Sequence, residues 1–296
     1  MTGAVQAQVD SVDGPPLLTA PKPELVDSAD LSGVDYLFLC VKFGDLERVL
    51  DGLPSHAEFP KSCTVVSTLN GIEALRVLRR RLPGVRIVPM TIMYNAQWLG
   101  PLHAQITTKP LVVVGGEPDA RLQASLAGSG MQVQVAHGDE AVWGKLLINL
   151  ANAVCATTHS SAHELLTLPA LRQVFAAVLQ EAVSVLDQSG VAYQWPMPIP
   201  FGAYRRLLTH GGPVSWWLAQ AKNGLRKGSY PSMVSDVEQG RTTEVMQLNG
   251  EIARLGAEQG IATPVASRIV SLVQGLAGQK PPDYLSPEQL RQALGI

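Results

Sequence analysis

The spacing of apolar residues changes once along the chain, near residue 138, and no single layer of secondary structure accommodates both halves. Before that point strand-like runs occur at Val34 to Val41, Cys63 to Thr68, Arg86 to Met90, Gln105 to Thr107, Leu111 to Val114 and Gln132 to Ala136. Helical stretches at Leu46 to Asp51 and Glu73 to Leu82 separate the first of them, with turn signals at Gly115-Gly116 and Gly128-Ser129-Gly130. The nearly continuous run Val34 to Val41 reads as a parallel strand covered on both faces. After residue 138 apolar residues recur at helical spacing over Ala141 to Val154, Ala170 to Ser189, Ser235 to Gly260 and Pro264 to Leu276. The sequence therefore predicts an α/β domain over residues 1–137 and an all-α domain over 138–296, which a length of 296 residues permits. Asp139-Glu140 suits a helix N-terminus, Thr263-Pro264 an N-cap followed by proline at N1, and the prolines of Gln194 to Pro200 force a loop.

Charge and composition narrow the function classes. With 23 Lys+Arg against 25 Asp+Glu the chain has no bulk charge for nucleic acid or anionic lipid, so neither partner is expected. No apolar run approaches the ~18 residues of a membrane span, and the first ten residues show no export signal, so the expectation is a cytoplasmic protein. Cys40, Cys63 and Cys155 lack any CxxC spacing and read as small buried hydrophobes. His159 and His163 have the spacing of a zinc half-site but no third ligand at motif distance, so no metal is expected.

Three places concentrate polar groups where apolar ones would be cheaper. On the apolar stretch Trp143 to Asn152, the residues Lys145, Asn149 and Asn152 fall within an arc of about 60°. Either they satisfy one another in a buried network or they line a ligand cleft. The segment Pro231 to Glu244 contains Ser232, Asp236 and Glu244, and reads either as a solvated acidic helix face or as one with a carboxylate turned into a cleft. Lys42 and Asn70-Gly71 stand at the carboxyl ends of consecutive strands, where open α/β sheets bind ligands, although Asn70-Gly71 is also a plain turn sequence.

Taken together the chain resembles the ketopantoate reductase family. The matching pieces are Val41-Lys42, Leu69-Asn70-Gly71, Gly100-Pro101-Leu102-His103, Trp143-Gly144-Lys145-Leu146 with Asn149, Ser232-Met233 with Asp236, Arg241-Thr242-Thr243-Glu244 with Asn249-Gly250, and Gly260-Ile261-Ala262-Thr263-Pro264. The resemblance implies a Rossmann-type NADPH domain followed by a helical substrate domain, and the NADPH-dependent reduction of 2-dehydropantoate to pantoate for pantothenate synthesis. It makes Lys145 the general acid and assigns substrate contacts to Asn149, Asn152, Ser232 and Glu244. Asn70 bridges cofactor and substrate on this reading, Lys42 touches the cofactor's ribose or phosphate, and a homodimer is one assembly it allows.

The sequence also departs from the family pattern. The family opens with a strand, a GxGxxG turn and a helix that cradle the dinucleotide pyrophosphate. Here Met1 to Asp13 aligns after the second strand of the family, so the nucleotide domain reads as N-terminally incomplete. Ala153 stands where the family has a second asparagine, with Asn152 one position earlier, and Pro231 stands where a second serine is common. These departures keep open a reductase of another small 2-keto acid and a non-catalytic remnant that has lost cofactor binding.

Overall fold

The computed structural model describes residues 6–11, 17–21, 23, 24, 26, 30–212, 214–223 and 227–296, with backbone alone at 222 and 223. The chain forms two compact units, one of Met1–Leu69 with Ala74–Ala141, the other of Asn70–Glu73 with Val142–Ile296. Of the opening thirteen residues, 1–5, 12 and 13 lie outside the described residues.

In the sheet unit β1 (Gln6–Ser11) and β2 (Leu18–Pro21) form a hairpin. Next come β3 (Tyr36–Leu39), α1 (Leu46–Asp51), β4 (Thr64–Ser67), α2 (Glu73–Arg81) and β5 (Ile87–Ile92). A second hairpin, β6 (Ala96–Gly100) and β7 (His103–Ile106), precedes β8 (Leu111–Val114), α3 (Ala120–Gly128) and β9 (Gln132–Val135). The principal sheet has the order β3-β4-β5-β8-β9 and is mixed, because β8 runs antiparallel to β5 while the other neighbours are parallel. Two adjacent residues of β4 explain its layers. Successive strand side chains point to opposite faces. Val65 accordingly packs with Leu46 and Leu50 of α1 and Val77 and Leu78 of α2, while Val66 packs with Val88, Val112 and Leu122 of α3.

The doubly covered strand is thus β4, not the preceding run expected to be so. Among the described residues β3 pairs with β4 alone, and Phe38 is 40% exposed. An edge strand has a neighbour on one side only, so side chains beside its open edge are covered less. Cys40, expected to be buried, lies just past the end of this strand and is exposed, whereas Cys63 and Cys155 are buried. The strand expected near 105–107 belongs to a second sheet of order β2-β1-β7-β6, in which β1 runs parallel to β7.

The helical unit contains α4 (Glu140–Asn149), whose first two residues belong to the sheet unit, then α5 (Ala151–Thr158), α6 (Ala162–Thr167), α7 (Pro169–Gln188), α8 (Phe201–His210) and α9 (Val214–Asn223). It continues with α10 (Ser232–Glu238), α11 (Asn249–Gln259), α12 (Pro264–Leu276) and α13 (Pro287–Ala293). Leu171, Leu179 and Leu186 of α7 are fully buried, as are Leu146, Leu147, Leu208 and Met233. Each such side chain contributes roughly 1.5–3 kcal/mol of burial. The sequence reading missed α3, α6, α8, α9 and α13, although α6 and α13 each open with a capping box, Ser161 with Glu164 and Ser286 with Gln289.

One expected helix, over 235–260, is two helices joined by a loop. Gly240 adopts φ +64°, its N–H donates to Val237 O, and the Arg241 N–H donates to Asp236 O. This pair of bonds is a Schellman motif, in which a left-handed glycine ends the helix and satisfies its last carbonyls. The apolar spacing continued past it, and the glycine was the signal that should have overridden the period.

At the start of α12, Pro264 occupies N1 as expected, but the Thr263 side chain makes no cap. Glu181 of α7 takes that part, accepting from the backbone N–H of Ala266 at 2.7 Å and of Val265 at 3.0 Å. Glu181→Ala is therefore expected to cost about 1–2 kcal/mol, as loss of a helix cap does, read as a lower urea midpoint at unchanged m-value.

Candidate active site

Lys145 and Asn149 lie one turn apart on α4. Leu150 separates α4 from α5 yet keeps helical dihedrals (φ −57°, ψ −25°), so Asn152 on α5 stays close to the helical phase of the other two. Gly144, next to Lys145, faces the loop at 194: a Cβ built there would overlap the carbonyl oxygen of Gln194. The helix approaches that loop backbone to backbone, which only glycine permits. Sequence reasoning quoted Gly144 in the motif without giving it this part.

The other side chains reach this helix from two loops. Asn70 and Gly71 follow β4 and group with the helical unit. Gly71 has φ +80°, and its Cβ position is 2.6 Å from the Gln247 carbonyl, so the turn demands glycine twice over. Glu244 stands in the loop that the Schellman motif opens. Asn149 Nδ2 donates to Asn70 Oδ1 at 3.4 Å, and Asn70 Nδ2 donates to Glu244 Oε2 at 3.2 Å. The charge of Glu244 acts on Lys145. Four predicted residues, Asn70, Lys145, Asn149 and Glu244, thus form one connected polar group within the helical unit.

Asn152 is part-buried and Ser232, the first residue of α10, is exposed; neither side chain makes a hydrogen bond among the described residues. Lys42 lies in the sheet unit, exposed, in extended conformation before the 3-10 turn Phe43–Asp45. Asp236 is buried and accepts from Arg241 Nε at 2.8 Å, while Glu244 accepts from Asn70 in the polar group. His159 and His163 diverge: His159 Nε2 meets Glu238 Oε1 at 2.9 Å, and His163 packs edge-on to Trp216.

Burial pulls the Lys145 ammonium down from 10.5 to about 8, with the Glu244 charge opposing the fall. Part of the residue's surface stays accessible, but protein crowds the ammonium closely enough to strip most of its water. At neutral pH it remains mainly protonated, a proton donor of more than usual acidity. This carries a stability cost with a definite pH window. Below pH 8 both folded and unfolded lysine are charged and the cost is complete; between 8 and 10.5 the unfolded chain holds more protons, so stability rises with pH. Lys145→Met is expected to raise stability by up to about 3 kcal/mol at pH 7, the gap to the parent closing by about pH 10.5 in urea melts.

A dinucleotide binds to such sheets through backbone N–H groups at a helix N-terminus, where negative charge is welcome. The helix starts of the sheet unit are instead acidic. Glu47 lies in the first turn of α1 behind Asp45, the Asp119 carboxylate already caps α3 through Leu122 N–H at 2.9 Å, and Glu140 opens α4. These three starts are therefore less favourable to a pyrophosphate than a glycine-rich one would be. Calorimetric titration of the chain with NADPH is expected to show weak binding, and tight binding would mean that the cradle is built by other groups.

A mixed α/β sheet unit followed by an all-α unit that carries a lysine, a carboxylate and two amides in contact defines a two-part class of protein. Two family profiles assign it further: Ketopantoate reductase PanE/ApbA over residues 7–118, and its C-terminal counterpart over residues 139–277. The chain belongs to the ketopantoate reductase family. It is 25% identical over 252 residues to a 2-dehydropantoate 2-reductase of Archaeoglobus fulgidus, covering 82% of this chain and 76% of that one. To the Vibrio cholerae protein of the same name it is 26% identical over 137 residues, which span only 40% of that relative and 46% of this chain. A crystal structure of a PanE/ApbA family ketopantoate reductase from Ralstonia eutropha JMP134 superposes with a TM-score of 0.70 at 24% identity, over 93% of this chain and 85% of that one. That likeness is one of fold. Among the described residues no helix is long and apolar enough to cross a membrane.

Proposed function

We propose that the helical unit binds a small 2-keto acid and supplies the proton in its reduction to the 2-hydroxy acid, with 2-dehydropantoate as the substrate and NADPH as the hydride source. The observation that carries this reading is the crowded Lys145 ammonium set beside Glu244 and the Asn70–Asn149 amide pair. As a ketone becomes an alcohol, negative charge collects on the carbonyl oxygen. A nearby ammonium stabilises that charge and then transfers its proton, and it does so best when its pKa lies close to the working pH. On this reading Glu244 accepts a hydrogen bond from the substrate hydroxyl, and Asn149 with Ser232 holds its polar groups. The family resemblance assigns cofactor contacts to Asn70 and Lys42. The named relatives support the substrate class, and the shared family supports a nicotinamide cofactor.

A second reading is favoured by the acidic helix starts of the sheet unit: a protein that keeps the keto-acid site without turning the substrate over. The two are separated by measuring binding and turnover on the same samples. Calorimetry with 2-dehydropantoate is expected to show binding that Glu244→Ala weakens roughly 10- to 150-fold, the loss of a charge-assisted hydrogen bond. Spectrophotometric assay with NADPH is expected to show reduction that Lys145→Met lowers by about 10²–10⁴. The reduction rate should fall as pH rises through about 8, because the donor is lost on deprotonation, and the reverse oxidation should rise. Binding without turnover would establish the second reading, and an absence of binding would remove both.

A further inference from the structure

Arg172, the fourth residue of α7, is 6% exposed, and its Nε and Nη1 are enclosed and make no hydrogen bond among the described residues. A guanidinium out of water needs a partner, since a buried charge without one is among the costliest features a fold can carry. The acids along α6 and α7 are committed elsewhere. Glu164 accepts from Ser161, Glu181 caps α12, and Asp187 accepts from the Tyr193 hydroxyl at 3.1 Å. The Nη1 of Arg172 lies instead against the turn after α8, 4.0 Å from the Cβ position of Gly212, which has φ +56°. The carbonyl end of α8 points a partial negative charge toward this turn, yet no carbonyl there bonds to Nε or Nη1.

The sequence around the turn is one-signed. From Asp187 to Asp236 the chain contains Arg205, Arg206, Lys222, Arg226 and Lys227 and no Asp or Glu between. An enclosed cation beside a turn whose flanking sequence carries no acids is complementary to an anion from outside the chain. We propose that Arg172 and the Gly211-Gly212 turn form a binding site for a small oxyanion, a carboxylate or a phosphate group. It shares no residue with the Lys145 group. The planar fork of arginine matches two oxygens of either ligand, and at Gly212 the only atom within 4 Å of the Cβ position is Nη1 itself, which leaves space beside the cation.

The test is thermal unfolding of the full chain in sodium chloride, sodium acetate and sodium phosphate at matched ionic strength. Acetate, phosphate or both are expected to raise Tm by about 2–4 °C over chloride, the scale of mass-action stabilisation of a chain this size by a ligand about tenfold above its Kd. A response to acetate alone identifies a carboxylate ligand, to phosphate alone a phosphate group, and to both a site that takes either. Phosphate also stabilises proteins without binding, so two variants carry the decision. Arg172→Met removes the cation and should abolish the increment. Gly212→Asp places a carboxylate beside Nη1 at a backbone conformation aspartate tolerates; it should raise Tm in chloride and also lose the increment, even if Arg172→Met folds poorly. An equal increment in parent and Gly212→Asp, or none in the parent, overturns the proposal.

Discussion

An ammonium taken out of water has to be offset by charge and hydrogen bonds from its neighbours, and the helical unit is organised around that requirement at Lys145. The carboxylate of Glu244 supplies the opposite charge, but a carboxylate on a loop needs holding in turn. Asn70 does so from one side, with Asn149 behind it. The left-handed Gly240 and the close approach of Gly71 to Gln247 then fix where the loop runs. Local backbone chemistry at two glycines thus determines whether a charge can be kept at the helix at all. The incomplete compensation leaves a donor poised near neutral pH.

Much of this was legible in the sequence. Polar residues on an apolar helix are conspicuous because their burial is costly, and Lys145 and Asn149 were readable on that ground. Asn70 was readable from its place after a strand. Glu244 was not separable from Asp236 by spacing, because the period assumed one continuous helix. Once the helix breaks at Gly240, Asp236 closes onto Arg241 and Glu244 moves to the loop. Asn152 and Ser232 share the right segments, but the structure gives them no bond to the group. Phase on a helix shows which way a residue faces, not what it meets.

The strands of the principal sheet were read from the sequence, while β1, β2 and β6 of the second sheet were not and the rank of burial was read wrongly. Both 34–41 and 63–68 are strongly apolar, and hydropathy does not tell a central strand from its neighbour; pairing does. The Val65 and Val66 alternation marks β4 as the layer's middle, with β3 at an edge among the described residues. The short helices α6 and α13 escaped a search for period because six or seven residues hold too few turns to show one. Their capping boxes were the more local and more reliable mark.

The contact at Gly144 has a consequence for how this protein tolerates sequence drift. The helix is positioned there by a main-chain carbonyl, an atom that every residue type supplies, so position 194 is free to change its side chain while position 144 is not. In the loop between α7 and α8 the exposed side chain of Gln194 can therefore vary without moving the lysine beside Gly144, while its neighbour Trp195 stays held by Phe201, Tyr204 and the Ile199 carbonyl. Position and surface are thereby uncoupled: the Lys145 end of α4 stays in register while the side chain at 194 changes.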